Sequence, residues 1–227
     1  MQREQGTDRR LIVLAAFALV AIGVVAAILI GRSGSGSDES SAAASAKGCK
    51  RVAMPKPKRV SLKAPEQFVK RYEKLNAAVK TSCGTFVIAL DAKRAPKTVN
   101  SFVYLSDKGF YDGLDFHRIV PEFVIQGGDP LGNGTGGPGY KVVEKPPADL
   151  SYTKGIVAMA KSSAEPPGTS GSQFFVVTAA DAGLPPEYAL VGKVGKGQNV
   201  VARIAKLGTP SEKPKQTVLI EKITVEH

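Results

Sequence analysis

Residues 116–130 read Phe116-His117-Arg118-Ile119-Val120-Pro121-Glu122-Phe123-Val124-Ile125-Gln126-Gly127-Gly128-Asp129-Pro130, and residues 171–177 read Gly171-Ser172-Gln173-Phe174-Phe175-Val176-Val177. Inside them, 123–125 and 174–177 are short apolar runs of β-prone residues bounded by Gly or Pro. Similar runs recur at 156–160 and 189–194, and the chain closes on another at 217–225. Toward the N-terminus, 85–90 is a further β-prone run, and Leu75, Ala77 and Val79 alternate just before it. With Cys83-Gly84 between them, the two predict a hairpin. Two segments carry the helical period instead. Pro96 suits a first helical position, Val99, Phe102, Val103 and Ser106 share one face, and Gly109 is a stop signal. Residues 198–207 repeat the pattern through Val200, Val201, Ile204 and Leu207, with Gly208 as the stop. Many strands and two helices predict a compact β-barrel with helical covers.

Composition narrows the chemistry. The chain has 227 residues, 43% of them apolar, which suits a globular core and excludes a wholly disordered chain. It has two His, two Cys and no Trp. A zinc centre of His and Cys would need nearly all of these ligands, which argues against one. The net charge is +11, but its distribution is uneven. Residues 47–80 hold eleven basic groups against Glu66 and Glu73, residues 1–46 are neutral, and residues 81–227 carry only +2. A nucleic-acid-binding domain carries its basic face on the folded unit, so nucleic acid is not expected as a partner.

Some motifs must be discounted. Gly132-Asn133-Gly134-Thr135-Gly136-Gly137 satisfies G-x-G-x-x-G, yet Pro138-Gly139-Tyr140 follows where a dinucleotide fingerprint needs a helix. Ser172 lacks the flanking pattern of a nucleophile elbow, and His117 is the sole credible base for a hydrolase.

Taken together, the segments at 116–130 and 171–177 resemble the cyclophilins, the family of peptidyl-prolyl cis–trans isomerases. The F-H-R-[IV]-x-P-x-F-x-x-Q-G-G-D run is highly specific, and G-S-Q-F-F follows in the right order. Residues 132–137, 155–160 and 191–194 also match in order, and the resemblance covers about residue 80 to the C-terminus. It implies a closed eight-stranded antiparallel β-barrel capped by two α-helices, and an enzyme that needs no cofactor. An X–Pro amide rotates over a barrier of about 18–20 kcal/mol, so catalysis requires a pocket that prefers the twisted amide to either planar form. The resemblance implies that Arg118 donates to the prolyl nitrogen as it pyramidalises. Catalytic roles fall on Arg118, Gln126 and Phe123. Val124, Phe175 and Leu184 would complete the proline socket with Phe123, and Tyr188 would stand at its rim. Ala160 and Gln173 would line the neighbouring subsite, the Lys161 backbone would pair with the substrate, and His117 would support the site without acting as a general base. The sequence departs from frequent family residues at Val124 (for Met), Lys161 (for Asn), Tyr188 (for His) and Gly183 (for Trp). The last removes an indole donor and predicts weak cyclosporin binding.

The remaining third has its own logic. Residues 11–30 carry no charged or strongly polar side chain, and 20 helical residues span about 30 Å, the thickness of a bilayer core. Residues 1–10 are thus expected in the cytoplasm, 11–30 as a single transmembrane anchor in preference to a cleaved signal peptide, whose apolar core is usually ~7–15 residues, and 31–46 as a flexible Gly/Ser/Ala linker. Residues 47–74 form a basic, Pro-containing extension and 75–227 the isomerase domain. Arg3, Arg9 and Arg10 precede the span and Arg32 alone follows closely, which places the C-terminal domain outside the cytoplasm. Such tethering is similar to membrane-anchored cyclophilins of actinobacterial type. Pro55, Pro57 and Pro65 favour an extended strip over a helix. That strip reads either as a solvated linker or as a contact, through 47–80, with anionic lipid or an anionic envelope polymer. Cys49 and Cys83 are either a disulfide clipping the strip to the domain or two unrelated thiols. The leading function is isomerisation of X–Pro bonds in exported or envelope proteins. The alternatives are a tethered module that binds Pro-containing segments with incidental catalysis, and an envelope-adhesion protein.

Overall fold

A computed structural model describes residues 48–226. The expected anchor at 11–30 and the linker at 31–46 lie outside the described residues, and among the described residues no helix is long and apolar enough to cross a membrane.

The hairpin forms where alternation predicts it: β1 (Asn76–Thr81) pairs antiparallel with β2 (Gly84–Leu90), with Thr81 opposite Gly84. Ala77 and Val79, then Phe86, Ile88 and Leu90, turn inward in period two. The later strands are β3 (Leu114–Asp115), β4 (Arg118–Val120), β5 (Val124–Gly127), β6 (Val142–Val143), β7 (Ile156–Met159), β8 (Thr169–Ser170), β9 (Phe174–Val177), β10 (Leu190–Lys196) and β11 (Leu219–Glu226). Nine of them form one sheet in the order β3-β11-β1-β2-β10-β7-β9-β5-β4, with every ladder antiparallel, while β6 and β8 pair separately.

The sheet's shape follows from its edges. Strands β3 and β4 lie at opposite ends of the order, yet only residues 116 and 117 separate them in sequence. A flat sheet of nine strands would hold its edges roughly 38 Å apart, and the chain from 115 to 118 spans at most about 11 Å. The sheet therefore curls until its edges nearly meet. No ladder joins β3 to β4, so hydrogen bonding leaves an open, curled half-barrel rather than a closed one. The expected eight-stranded closed barrel is corrected on both counts: the extra strand is the two-residue β3, too short to show a period.

Two helices cover the curl. Helix α1 (Pro96–Asp107) starts on Pro96, and Ala95 at its cap has no side-chain acceptor to offer. The Glu144 carboxylate supplies one from a distant loop, accepting from Lys97 N at 3.1 Å, Thr98 N at 2.8 Å and Thr98 Oγ1 at 2.7 Å. This satisfies donors that every helix start leaves orphaned and sets a negative charge on the positive end of the dipole. The predicted stripe of Val99, Phe102, Val103 and Ser106 is buried, and α1 packs on β10 and β11. Helix α2 (Gln198–Ala205) buries Val200, Val201 and Ile204 against β2, β4 and β5.

Strand alternation divides the apolar side chains into two clusters. Phe174 centres the larger, meeting Phe102, Tyr111 and Phe116 edge-on at 5.7, 5.6 and 6.0 Å. Its neighbour Phe175 must face the other way and joins Val124, Tyr152, Leu184 and Tyr188 in the second.

Residues 49–75 hold no regular element before β1 and run as an extended strap over the domain. Cys49 is disulfide-bonded to Cys83 in the hairpin turn. Further along, Lys50 N donates to Ser82 O, Lys58 N to Pro130 O and Leu62 N to Pro138 O, at 2.7–2.8 Å. The strap runs so close that a Cβ on Gly139, at φ +96°, would stand 2.9 Å from Ser61 Cα. Its prolines exclude a helix and lack N–H groups that would otherwise need partners.

The disulfide closes a loop whose ends are 34 positions apart. In the chain-entropy picture this contributes about 2–4 kcal/mol. Cys49→Ser is expected to lower the denaturation midpoint accordingly and to open 49–65 to limited proteolysis while 76–226 stays protected. An unchanged cleavage pattern would mean that the hydrogen bonds alone hold the strap.

Candidate active site

Strands β4, β5 and β9 lie side by side, and their register builds the site. Arg118 on β4 stands opposite Gln126 on β5, which stands opposite Phe175 on β9. The Arg118 guanidinium can only donate, and its Nη1 donates to Gln126 Oε1 at 3.2 Å. That fixes the amide orientation, so Gln126 Nε2 donates onward to Gln173 Oε1 at 3.0 Å. Gln173 Nε2 then donates to Gly134 O at 3.0 Å and Gly136 O at 2.9 Å. Three side chains from three segments thus form one polar row ending on a glycine loop.

That loop is the G-x-G-x-x-G segment, and its glycines serve packing. The Asp129 carboxylate, 1% exposed, accepts from Leu131 N, Asn133 N and Gly134 N. A Cβ at Gly136 would fall on Asp129 Oδ1. The segment wraps a buried carboxylate, and a loop rather than a helix follows it.

The other end of the row is anchored by a residue that sequence reasoning missed. Glu212 lies beyond α2, and its Oε2 accepts from Arg118 Nε at 2.7 Å. Its carbonyl also accepts from Ile119 N at 2.7 Å. Its backbone, at φ +64°, sits in the left-handed region that non-glycine residues rarely visit. No motif or spacing relates two residues 94 positions apart; only the exposed edge of β4 brings the loop there.

Together these residues border a groove of about 550 Å³, lined by His117, Arg118, Gln126, Ala160, Lys161, Gln173, Glu212 and the loop 132–136. The expected apolar residues are gathered beside it but do not line it. Val124 and Phe175 are fully buried, Leu184 and Tyr188 nearly so, and Phe123 packs half-buried at the cluster's edge. Tyr188 is clamped edge-on between Phe175 at 5.5 Å and Tyr152 at 5.8 Å. Its backbone both donates to and accepts from the Tyr152 hydroxyl. Lys161 covers the cluster: its ammonium lies 5.5 Å from the Tyr188 ring centre and 3.3 Å from Glu187. The expectation for Lys161 concerned only its backbone, whereas its side chain is 4% exposed.

Electrostatics assign quiet roles to the acids and bases. His117 lines the groove, but its two ring nitrogens are buried without hydrogen-bond partners. Burial foremost, with Arg118 beside it and Asp129 opposing, lowers its pKa to about 4. It is neutral at physiological pH and a poor general base. Asp115 on β3 shifts the other way. Burial, opposed by a backbone hydrogen bond and reinforced by Asp129, raises its pKa to about 6.

The cyclophilin type peptidyl-prolyl cis-trans isomerase family model matches residues 77–225. Peptidyl-prolyl cis-trans isomerase B of Streptomyces anulatus is 40% identical over 174 residues, covering 68% of this chain and 98% of that protein. The human peptidyl-prolyl cis-trans isomerase-like 1 is 40% identical over 141 residues, 60% of this chain and 83% of its own. Among solved structures, a Cryptosporidium parvum cyclophilin type isomerase superposes with a TM-score of 0.64 at 31% identity, covering 68% of this chain and 99% of that one. The same parasite protein, in the presence of the dipeptide Ala-Pro, gives a TM-score of 0.62 at 31% identity, over 67% and 99% of the two chains.

The two shifted groups act oppositely on stability. His117 titrates lower in the folded chain than unfolded, so its contribution is present above pH 6.5 and is lost as the pH falls toward 4. Asp115 titrates higher when folded, so its contribution is present below pH 3.8 and is lost as the pH rises through 6. Asp115→Asn is therefore expected to stabilise the protein by about 2 kcal/mol at pH 8. That gain should vanish by pH 4. Denaturant midpoints of both proteins across this range test it, and a pH-independent difference would refute the assignment.

Proposed function

The chain belongs to the cyclophilin-type peptidyl-prolyl cis-trans isomerase family, and from that premise we propose that it isomerises X–Pro bonds in exported or envelope polypeptides, with Arg118 as the side chain that stabilises the twisted amide. The single observation that carries this reading is the row Glu212–Arg118–Gln126–Gln173 along the groove. As the amide twists, conjugation is lost and a lone pair localises on the prolyl nitrogen. A guanidinium N–H donating to that lone pair stabilises the twisted form more than either planar one, which is what lowers a barrier. No bond is made or broken, so no nucleophile, metal or redox group is required. The value of the row is preorganisation: a long Arg side chain in water samples many rotamers, whereas here Nε is held by a charge-assisted bond and Nη1 by a neighbouring amide.

The apolar cluster beneath the groove supplies the proline socket in this reading. Phe123 and Ala160 border it, Val124, Phe175 and Leu184 form its body, and Tyr188 its rim. Lys161 covers that rim, with its ammonium held by Glu187 at 3.3 Å and by the Glu165 carbonyl at 3.2 Å. Extracytoplasmic placement draws support from the Cys49–Cys83 bond, since oxidising compartments are where such bonds persist. Anchoring rests on the 20-residue apolar run at 11–30.

A prolyl isomerisation assay on the full chain tests this directly. Arg118→Ala is expected to lower kcat/KM on the order of 10²-fold, as loss of one preorganised donor typically does. Wild-type protein that binds Pro-peptides without accelerating their isomerisation would favour the binding-module alternative. Glu212→Gln keeps the shape and an acceptor but loses the charge that fixes Nε. It is expected to reduce kcat about 3–10-fold with KM little changed. Unchanged kcat would show that Gln126 alone suffices to orient Arg118.

A further inference from the structure

The segment 66–74, Glu66-Gln67-Phe68-Val69-Lys70-Arg71-Tyr72-Glu73-Lys74, ends the strap. It forms a knuckle held from every side. Val69 is buried in the main core. Asn100, itself 3% exposed on α1, accepts from Phe68 N at 2.8 Å and Val69 N at 2.9 Å, and donates to Glu66 O at 3.0 Å. Gln67 Nε2 donates to Val69 O, Lys70 N to a Glu73 carboxylate oxygen, and Arg71 Nε to Lys93 O. On this tied-down backbone two aromatic side chains point outward: Phe68 is 46% exposed and Tyr72 64%. Tyr72 also holds φ at +72°, where a glycine or asparagine would fit with less strain. Val69 and the turn serve the fold, whereas the rings at 68 and 72 stand largely in solvent.

Charge surrounds these rings. Arg71 and Lys93 place their cations 5.5 and 5.9 Å from the Tyr72 ring centre. Lys70, Lys74, Arg94 and Lys97 are also exposed on the knuckle, the adjoining loop and the start of α1. Of the nearby carboxylates, Glu73 is bonded to Lys70 N, Asp91 is paired with Arg94 and Glu144 caps α1 at Lys97 and Thr98, which leaves Glu66. Earlier in the strap Lys58 spends its ammonium on Phe110 O and Asp112 O, and the exposed cations Lys50, Arg51, Lys56, Arg59 and Lys63 have no aromatic residue among them.

We infer that the knuckle at 66–74, with Phe68 and Tyr72 framed by Lys70, Arg71, Lys74, Lys93 and Lys97, is a docking surface for an anionic bilayer. The inference deepens the anchored reading above and rests on it for the choice of partner. Cations alone would suit any polyanion in water. Amphipathic rings amid cations match the headgroup boundary of an anionic membrane, where the rings reach acyl chain and the cations reach phosphate. Rigidity matters, because a preordered knuckle loses little conformational entropy on docking. In the anchored reading only 17 residues, 31–47, separate the apolar run from the strap, so the domain would remain near the surface. Docked there, the domain would work on chains close to the membrane.

Hydroxyl-radical footprinting of the full chain tests the inference, read by mass spectrometry at Phe68 and Tyr72. Tyr72 is well suited, because the other five tyrosines are buried or half-buried. The chain is mixed with vesicles of phosphatidylcholine alone, or with about one-third phosphatidylglycerol added. Oxidation at both residues is expected to fall about fivefold or more on the anionic vesicles only. Raising the salt to about 0.5 M should reverse the effect, while Val143, 55% exposed elsewhere, should not change. Lys70→Glu/Lys74→Glu is expected to abolish the protection and leave isomerase activity intact. Equal oxidation on both vesicle types would overturn the proposal. So would equal protection by a soluble single-stranded RNA, which would make the surface a polyanion site. Flotation with neutral vesicles reads the anchor separately: a chain that fails to float there yet is protected on anionic vesicles loses the anchor reading and keeps the docking surface.

Discussion

The short link from β3 to β4 is the constraint on which the molecule turns. Because residues 116 and 117 alone join the two edge strands, the sheet must curl, and the curl leaves β4 with one open hydrogen-bonding edge. An open edge invites pairing with other chains. Here the loop after α2 covers it, with Glu212 O accepting from Ile119 N. The contact that protects the edge also delivers the Glu212 carboxylate to Arg118. Edge protection and orientation of the guanidinium are therefore one structural event, and the left-handed backbone at Glu212 is its local strain.

The second organising fact is the period of two on β5 and β9. Val124 and Ile125, and likewise Phe174 and Phe175, send adjacent side chains into different clusters. The larger cluster holds the fold together through interlocked aromatics around Phe174. The smaller leans on that scaffold through Phe175, which with Tyr152 clamps Tyr188 edge-on. A truncation at Phe174 would thus damage the site through the fold, whereas one at Phe175 would damage it directly. The cluster is closed in this state, with Lys161 lying across it as the cover over Tyr188. Apolar surface left open to water costs about 25 cal/mol per Å², so a cover that an entering proline displaces is a physically sensible resting state.

How much of this could be read from sequence follows from the range of each interaction. The hairpin, α1 and α2 announce themselves because alternation and the 3.6-residue period are local signals spread over six or more residues. β3, β4, β6 and β8 are two or three residues long, too short for any period, so pattern alone does not count them, and the expectation of eight strands in a closed barrel rests on the resemblance. Arg118, Gln126 and Gln173 were legible through a dense motif, and they do share one row. The depth of Val124 and Phe175 was not legible, because a motif names neighbours but not what covers them. Glu212 and Glu144 were invisible for another reason: each serves a partner 46 or more positions away, and a lone Glu in a loop looks like solvated charge. The prolines mark the strap as extended and the two cysteines offer a clip at its start, but the rest of its docking is not legible, since it runs through backbone groups, Val69, Asn100 and a glycine at 139.

The strap also explains a charge pattern that composition alone leaves puzzling. A segment with nine more basic than acidic groups should repel itself and fray. It is instead fastened at its start by Cys49, along its course by backbone hydrogen bonds, and at its end by Val69 and Asn100. Most of these fastenings use neutral groups, the cationic exceptions being the Lys58 ammonium and Arg71 Nε. The remaining cations are left on the outer side, where water screens their mutual repulsion within about 8–10 Å. A chain that needed only a spacer could have continued the Gly/Ser/Ala composition of 31–46. Holding a basic, Pro-rich strip rigidly against the barrel requires a disulfide, a glycine at the crossing and a strained tyrosine. The arrangement gives the strip's outer face one fixed shape, which a flexible spacer would not have.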